Sequence, residues 1–343
     1  MIPRESRAES ERPERVLNWR GALGQTALGL SALLWLALMW IFVVQPDACA
    51  AITVFPVWAW LFPGLTLAAV GGGFQGRRWG LFLVLAWSFF FFALAEEPWS
   101  LLRSLTRHDT PTRGGRAVRV VSLNCAIGNP NAAREVARFR PDIVLLQESP
   151  NREVVKTLAR EFFGVEGSVV YGPDATLLVR GKVVASDLPP NQRAYFVQAQ
   201  TQLASGLTVE VISTRLVPAH FRLDLWSPDC WREQAENRRK RRTQVETIVR
   251  SLKAIPATRP IILGGDFNAP QGDAAFRSFS PRLHDTFREA GRGWGNTVIN
   301  DVPFLRIDQI WSSSSLRTLN VFVAKTRCSD HRMVICDLEI LPP

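Results

Sequence analysis

The 343-residue sequence predicts an α/β domain, two packed β-sheets flanked by helices, preceded by about three transmembrane helices. Three observations carry this reading. Three long uncharged apolar stretches fall before residue 100, and after residue 116 short β-branched runs alternate with helical periodicity. The two halves also differ in charge. Seven of the 41 Lys+Arg and seven of the 31 Asp+Glu precede residue 100, so the formal net charge of +10 belongs wholly to residues 100–343. Eight of the 12 tryptophans lie in the neutral front. This split excludes one uniform globular domain, and 47% hydrophobic residues exclude a disordered chain. Five cysteines without a C-x-x-C pair exclude a disulfide framework and give no support to a zinc or redox site.

The apolar stretches are residues 22–44, 54–73 and 79–95. At 1.5 Å per residue, about 20 apolar residues cross a hydrocarbon layer of ~30 Å. Trp19, Trp40, Trp58, Trp79 and Trp99 sit near their ends, where indole rings favour the headgroup layer. Residues 1–21 hold five arginines, the first connection (45–53) none, and the second (75–78) Arg77 and Arg78. That alternation makes 1–21 a basic cytoplasmic tail and puts the chain after the third span on the extracytoplasmic side. Pro56, Pro63 and Gly71, Gly72 and Gly73 leave a re-entrant hairpin as the alternative for the second stretch, which would return the rest to the cytoplasm. No Asp, Glu, Lys, Arg or His lies within the stretches, so residues 22–96 read as an anchor rather than a transport path. Residues 97–116 read as a linker, and 117–343 as the main domain.

Along that domain, apolar runs predict strands at 117–123, 142–146, 175–179, 194–202, 207–213, 260–263, 307–311, 319–323 and 333–340. Ser205-Gly206 joins two of these as a hairpin. Helices are predicted at 132–139, 151–162 and 233–253, the last from Val245, Ile248, Val249 and Leu252 at i, i+3, i+4 and i+7. Polar residues then recur where strands end. They are Asn124, the pair Gln147-Glu148, Gly264-Gly265-Asp266-Phe267-Asn268, Arg306-Ile307-Asp308, and Ser329-Asp330-His331. One such group is a turn former. Five at the ends of strands are the makings of a site.

In order and residue type these five motifs resemble the endonuclease/exonuclease/phosphatase superfamily, over about residues 117–341. The resemblance implies a four-layered α/β sandwich and divalent-metal-dependent hydrolysis of a phosphate ester. It implies that Asp266 orients or deprotonates the attacking water and that Asn268 holds the phosphate. His331 contacts the phosphate, and Asp308 orients its ring and keeps it protonated. Hard oxygen donors suit Mg²⁺ or Mn²⁺, with Glu148 as the leading ligand, Asn124 beside it and Asp330 contributing. Arg306 is either structural or phosphate-facing. Many relatives carry Thr-His-Leu where this chain reads Thr214-Arg215-Leu216. Arg215 cannot be a general acid near neutrality, though it can bind a phosphate oxygen. His220 substitutes only if its loop folds back.

Arg238, Arg239, Lys240, Arg241 and Arg242 form either a polyanion-binding patch or a solvated helix face, the latter being favoured. The insert 217–231 is either a substrate lid or packing over the sheet. The expected function is a membrane-anchored phosphodiesterase acting on nucleic acid or a phospholipid headgroup, with no protein partner predictable. The alternative is a catalytically silent domain of the same fold that binds a polyanion or a partner.

Overall fold

The computed structural model describes residues 19–106, 116–172, 174–187, 195–219 and 221–342; His220, residues 1–18 and 107–115 of the expected tail and linker lie outside them. The chain forms two compact units, one holding residues up to Leu38 with Trp60–Phe90, the other Met39–Ala59 with Phe91–Pro343.

The first unit is built from α1 (Trp19–Val44), α3 (Leu61–Gln75) and α4 (Arg77–Leu94), α2 (Ala50–Thr53) being a short turn between them in the second unit. Three helices, Trp19–Val44, Val57–Phe74 and Arg77–Leu94, are long and apolar enough to cross a membrane. Gly72 and Gly80 let α3 and α4 touch: a Cβ on either would sit 2.8–2.9 Å from the other's Cα. Ser31 donates to the Gly64 carbonyl (2.9 Å) and accepts from Trp87 Nε1 (3.1 Å), so the few polar groups here are satisfied internally.

The second unit holds eleven strands: β1 (Ala117–Asn124), β2 (Ile143–Gln147), β3 (Gly167–Tyr171), β4 (Ala175–Asp187), β5 (Phe196–Leu203), β6 (Thr208–Arg215), β7 (Ile261–Asp266), β8 (Leu283–Asp285), β9 (Asp308–Ser313), β10 (Leu316–Ala324) and β11 (Met333–Ile340). The order is β10-β11-β1-β2-β4-β5-β6-β7-β9-β8, with β3 also on β4. The long β4 belongs to both sheets: Ala175–Val179 pairs with β2 and Gly181–Asp187 with β5. β1–β2 and β6–β7 are parallel and the other ladders antiparallel. Val120, Leu145, Leu177, Val211, Ile262 and Cys336 fill the space between the sheets. On one outer face α6 (Pro130–Glu135) and α7 (Arg152–Phe163) cover Leu123, Val144 and Leu146. On the other, α8 (Pro228–Lys253) covers Ile212, Ile261 and Leu263. Strand residues thus alternate between the shared core and a helical coat, which is the expected four-layered sandwich. β3 and β8 escape sequence reading because each is short and mixed in composition.

Two expectations are corrected. The linker expected over 97–116 begins as a helix, α5 (Glu97–Leu105), with Pro98 in its first turn. Arg103 of α5 donates to the carbonyls of Gly291 (2.8 Å) and Phe287 (3.2 Å), beside α9 (Thr286–Ala290), so this stretch is part of the domain. The basic run on α8 is only in part a solvated face: Arg239 and Lys240 are exposed, and the other three turn inward. Arg238 and Arg241 are 1% and 2% exposed and share Asp273, at 3.2 and 3.6 Å. Arg238 also donates to the Thr53 hydroxyl and the carbonyls of Gln45 and Pro46, and Arg242 grips Asp47 with two bonds (2.5 and 3.0 Å). The reason is geometric. Positions 238, 241, 242 and 245 share one side of a helix, and Val245 fixes that side inward. The segment 45–59 therefore packs on the α/β domain through buried charge.

Asp273→Ala strands two buried guanidinium groups and should destabilise the domain by about 3–5 kcal/mol. Denaturant unfolding of the detergent-solubilised protein measures this; a loss below about 1 kcal/mol would contradict the buried pairing.

Candidate active site

Strand register assembles the site. β1 ends at Asn124 and its parallel neighbour β2 at Gln147, which are paired; the next residue is Glu148, at φ 43°. β6, β7 and β9 lie side by side, with Arg215 opposite Asp266 and Asp266 opposite Asp308. Gly265 makes that close approach possible: at φ 147° a Cβ there would lie 1.9 Å from the Thr214 carbonyl oxygen. The β10–β11 connection brings in His331. Ser329 ties it down, donating to the Asn124 carbonyl (2.7 Å) and accepting the His331 N–H (3.0 Å).

Asp266, Asp308 and His331 are 1%, 0% and 7% exposed, and their ligand atoms lie within 4.8 Å of one another. Asp308 Oδ2 accepts a hydrogen bond from His331 Nδ1 at 2.8 Å. Burial opposes a charged imidazole, but the charge and hydrogen bond of Asp308, with Asp266 and Asp330 behind them, raise His331 to about 10. Asp266 is pushed up to about 6, by burial first and then by repulsion from Asp308. Asn124 Nδ2 bridges Asp266 Oδ2 (3.0 Å) and Glu148 Oε1 (3.2 Å). Burial also raises Glu148, but the Ile127 N–H, the Arg215 charge and Asn124 outweigh it, so its carboxyl lies below the usual range.

Of the residues expected at the site, Asn124, Glu148, Arg215, Asp266, Asn268, Asp308 and His331 come together, Asp330 stands beside them near His331, and Arg306 does not join them. Arg306 is buried against Asp285 (2.5 Å) and Glu96 (2.7 Å), an internal ion triad rather than a phosphate contact. Asp330 is exposed and outside the Asp266–Asp308–His331 cluster; its carbonyl accepts the Asn300 N–H (2.7 Å). Asn268 is tied to Asp266. Its side-chain amide donates to Asp266 Oδ2 (3.1 Å) and to the Leu216 carbonyl (2.9 Å), and its backbone N–H donates to Asp266 Oδ1 (2.9 Å), so two N–H bonds hold Asp266 in place. Arg215 donates to Glu148 Oε1 at 2.7 Å. Sequence reasoning missed the roles of Ser329 and of Thr297, whose hydroxyl accepts the N–H of Asp308 (3.2 Å). Ser329 stood inside a recognised motif; Thr297 carried no signal of its own.

Residues 121–331 match the model of the Endonuclease/Exonuclease/phosphatase family, well over half of the chain. The chain belongs to the endonuclease/exonuclease/phosphatase family. Crystal structures of family proteins share its fold. One from Bacteroides thetaiotaomicron has 14% identity and a TM-score of 0.52, covering 66% of this chain and 98% of its own. One from Bacteroides vulgatus has 19% identity and a TM-score of 0.50, covering 65% and 99%. D. rerio TDP2 humanised by 14 mutations gives 17%, 0.50, 65% and 99%. No curated protein matches the chain. Members of the family are phosphoesterase hydrolases that generally use divalent metals.

The carboxylates here fit such an ion. They are hard oxygen donors, and Asp308 Oδ1 is buried without a hydrogen-bond partner among the described residues. Because His331 titrates above its unfolded value, its pairing stabilises the fold below pH 6.5 and is lost as pH rises through about 10. In the metal-free protein, imidazole nitrogen resonances should show His331 protonated beyond about pH 8. In Asp308→Asn the ring should lose its proton at a markedly lower pH, because burial then opposes the charge with its main counterweight gone. A neutral His331 at pH 7.5 in the unsubstituted protein would exclude this pairing.

Proposed function

We propose that this protein is a membrane-anchored, divalent-metal-dependent phosphoesterase that hydrolyses a phosphodiester of nucleic acid or of a lipid headgroup. The observation that carries the reading is the buried Asp266–Asp308–His331 cluster at the strand ends, its ligand atoms within 4.8 Å of one another, with the Asp266 carboxyl raised by burial and His331 held protonated by Asp308. Two neighbouring groups pushed apart in this way are suited to be base and acid. Glu148 and Asn124 are the residues to hold Mg²⁺ or Mn²⁺, which when bound neutralises the phosphate and polarises it.

In the proposed reaction Asp266 takes a proton from water as its oxygen attacks phosphorus. The two Asn268 N–H bonds and Asn124 hold the carboxylate in line. His331, protonated and fixed through Nδ1 by Asp308, offers its other N–H to a phosphoryl oxygen or to the departing alkoxide. The P–O ester bond breaks and the leaving alcohol takes that proton. Arg215 has an unpartnered Nε and can add a charge-assisted bond to the phosphate.

The reading predicts that chelation abolishes turnover and that Asp266→Asn lowers kcat by about 100- to 10,000-fold. Glu148→Ala should lose activity that added Mn²⁺ restores in part. The assay is hydrolysis of plasmid DNA, RNA, sphingomyelin and phosphoinositides by the full-length protein. Activity that survives chelation or Asp266→Asn would refute the mechanism. One observation favours the silent alternative: Arg215 already neutralises Glu148, the leading metal ligand. Arg215→His distinguishes the two, since a large gain in turnover would mean that the arginine suppresses catalysis.

The anchor places the domain outside the cytoplasm in this reading. Contacts of segment 45–59 with α8 support it. A segment touching the domain must share its side, which requires an even number of crossings between them. Two spans satisfy that; a re-entrant second stretch plus one span does not. Alkaline phosphatase fused at the C-terminus should be active, and an inactive fusion of normal abundance would reverse the topology.

A further inference from the structure

The second unit contains a cavity of about 800 Å³ that the catalytic cluster does not occupy. That volume is in the range of small-molecule sites. One wall comes from chain next to the apolar spans: Phe42 at the end of α1, Phe55, Leu94 and Trp99. The other comes from the domain, including Phe276 and Phe304. Its main charges are already matched, since Arg306 is held by Glu96 and Asp285, and Arg277 caps the Val43 and Val44 carbonyls.

An aromatic row joins this cavity to the catalytic loops. Phe55 meets Phe221 at 4.7 Å, and Phe221 meets Phe304 at 5.1 Å. The Phe221 loop is bonded to the site through Ala219, whose N–H donates to the Asn268 carbonyl. The Phe304 loop is bonded to it through Val298, which pairs with His331. The same loops, and the turn beside Glu148, present large apolar side chains to solvent. Trp226 is 83% exposed, Val302 76% and Ile127 95%. Apolar exposure gathered around one site marks an interaction surface.

We infer that this cavity takes the hydrocarbon chain of a lipid phosphate ester whose phosphate enters the Asp266–His331 site. The inference rests on the phosphoesterase reading and narrows it to a substrate drawn from the bilayer. The occupant follows from the walls: half of the lining is apolar or aromatic, charged residues such as Arg103, Asp273 and Glu289 are held by other partners, and part of the lining is made by the ends of the helices able to cross a membrane.

Two measurements on the full-length protein in nanodiscs test it. The first is kcat/KM for p-nitrophenyl alkyl phosphodiesters bearing two to fourteen carbons. It should rise about fourfold per buried methylene, mainly through KM, until the cavity is full. Ala93→Trp, which fills the cavity from an exposed position, should flatten the series, and Phe55→Ala should weaken it. The second is equilibrium binding of a pyrene-labelled dodecyl phosphate, which needs no turnover. It should saturate at one site per chain and fall at least tenfold in Ala93→Trp. Turnover that ignores chain length and Ala93→Trp alike would overturn the inference while leaving the phosphodiesterase reading intact. No turnover on any ester, with binding still sensitive to Ala93→Trp, would overturn the catalytic reading and keep the chain site. Binding unaffected by Ala93→Trp would overturn the inference whatever the turnover.

Discussion

Asp266 and Asp308 face each other across β7 and β9 with almost no access to water. Two carboxylates so placed cannot both be charged unless positive charge or hydrogen-bond donors surround them. The rest of the site meets that constraint. His331 answers Asp308, Asn124 and Asn268 answer Asp266, and Thr297 and Ser329 hold the backbone that carries them. The residual imbalance is expressed as chemistry, with one carboxyl lifted toward neutrality and one imidazole kept charged.

The same rule governs the domain's positive charge. Arg238, Arg241, Arg242 and Arg306 are counted in the +10, yet each is spent on Asp273, Asp47, Asp285 or Glu96. They do not form a basic surface for a polyanion. They bind segment 45–59 and α5 to the α/β domain. That fusion turns segment 45–59 and α5 from connections into walls, and it brings Phe55 to the loops beside the Asp266–His331 cluster.

Much of this was legible in the sequence. The central strands read correctly because a strand buried between a second sheet and a helical coat must be almost wholly apolar, as 143–146 and 261–263 are. Most motif residues come together because they end neighbouring strands in register. Arg306 was not legible, since the same Arg-Ile-Asp could point at a phosphate or at Asp285. Nor were the arginines of α8: their spacing was visible, but the carboxylate they would meet lies more than thirty residues away in Asp273.

By itself the sequence determined which residues are apolar enough to build two sheets and three long helices, and which polar residues end the strands. Those are local properties, set by hydrophobicity and periodicity. Only the tertiary structure decided which of the charges meet: Asp266 with Asp308, Arg215 with Glu148, Arg238 with Asp273. Pairing depends on register and on the approach of distant segments. A buried charge is stable only beside its partner, and local sequence does not name the partner.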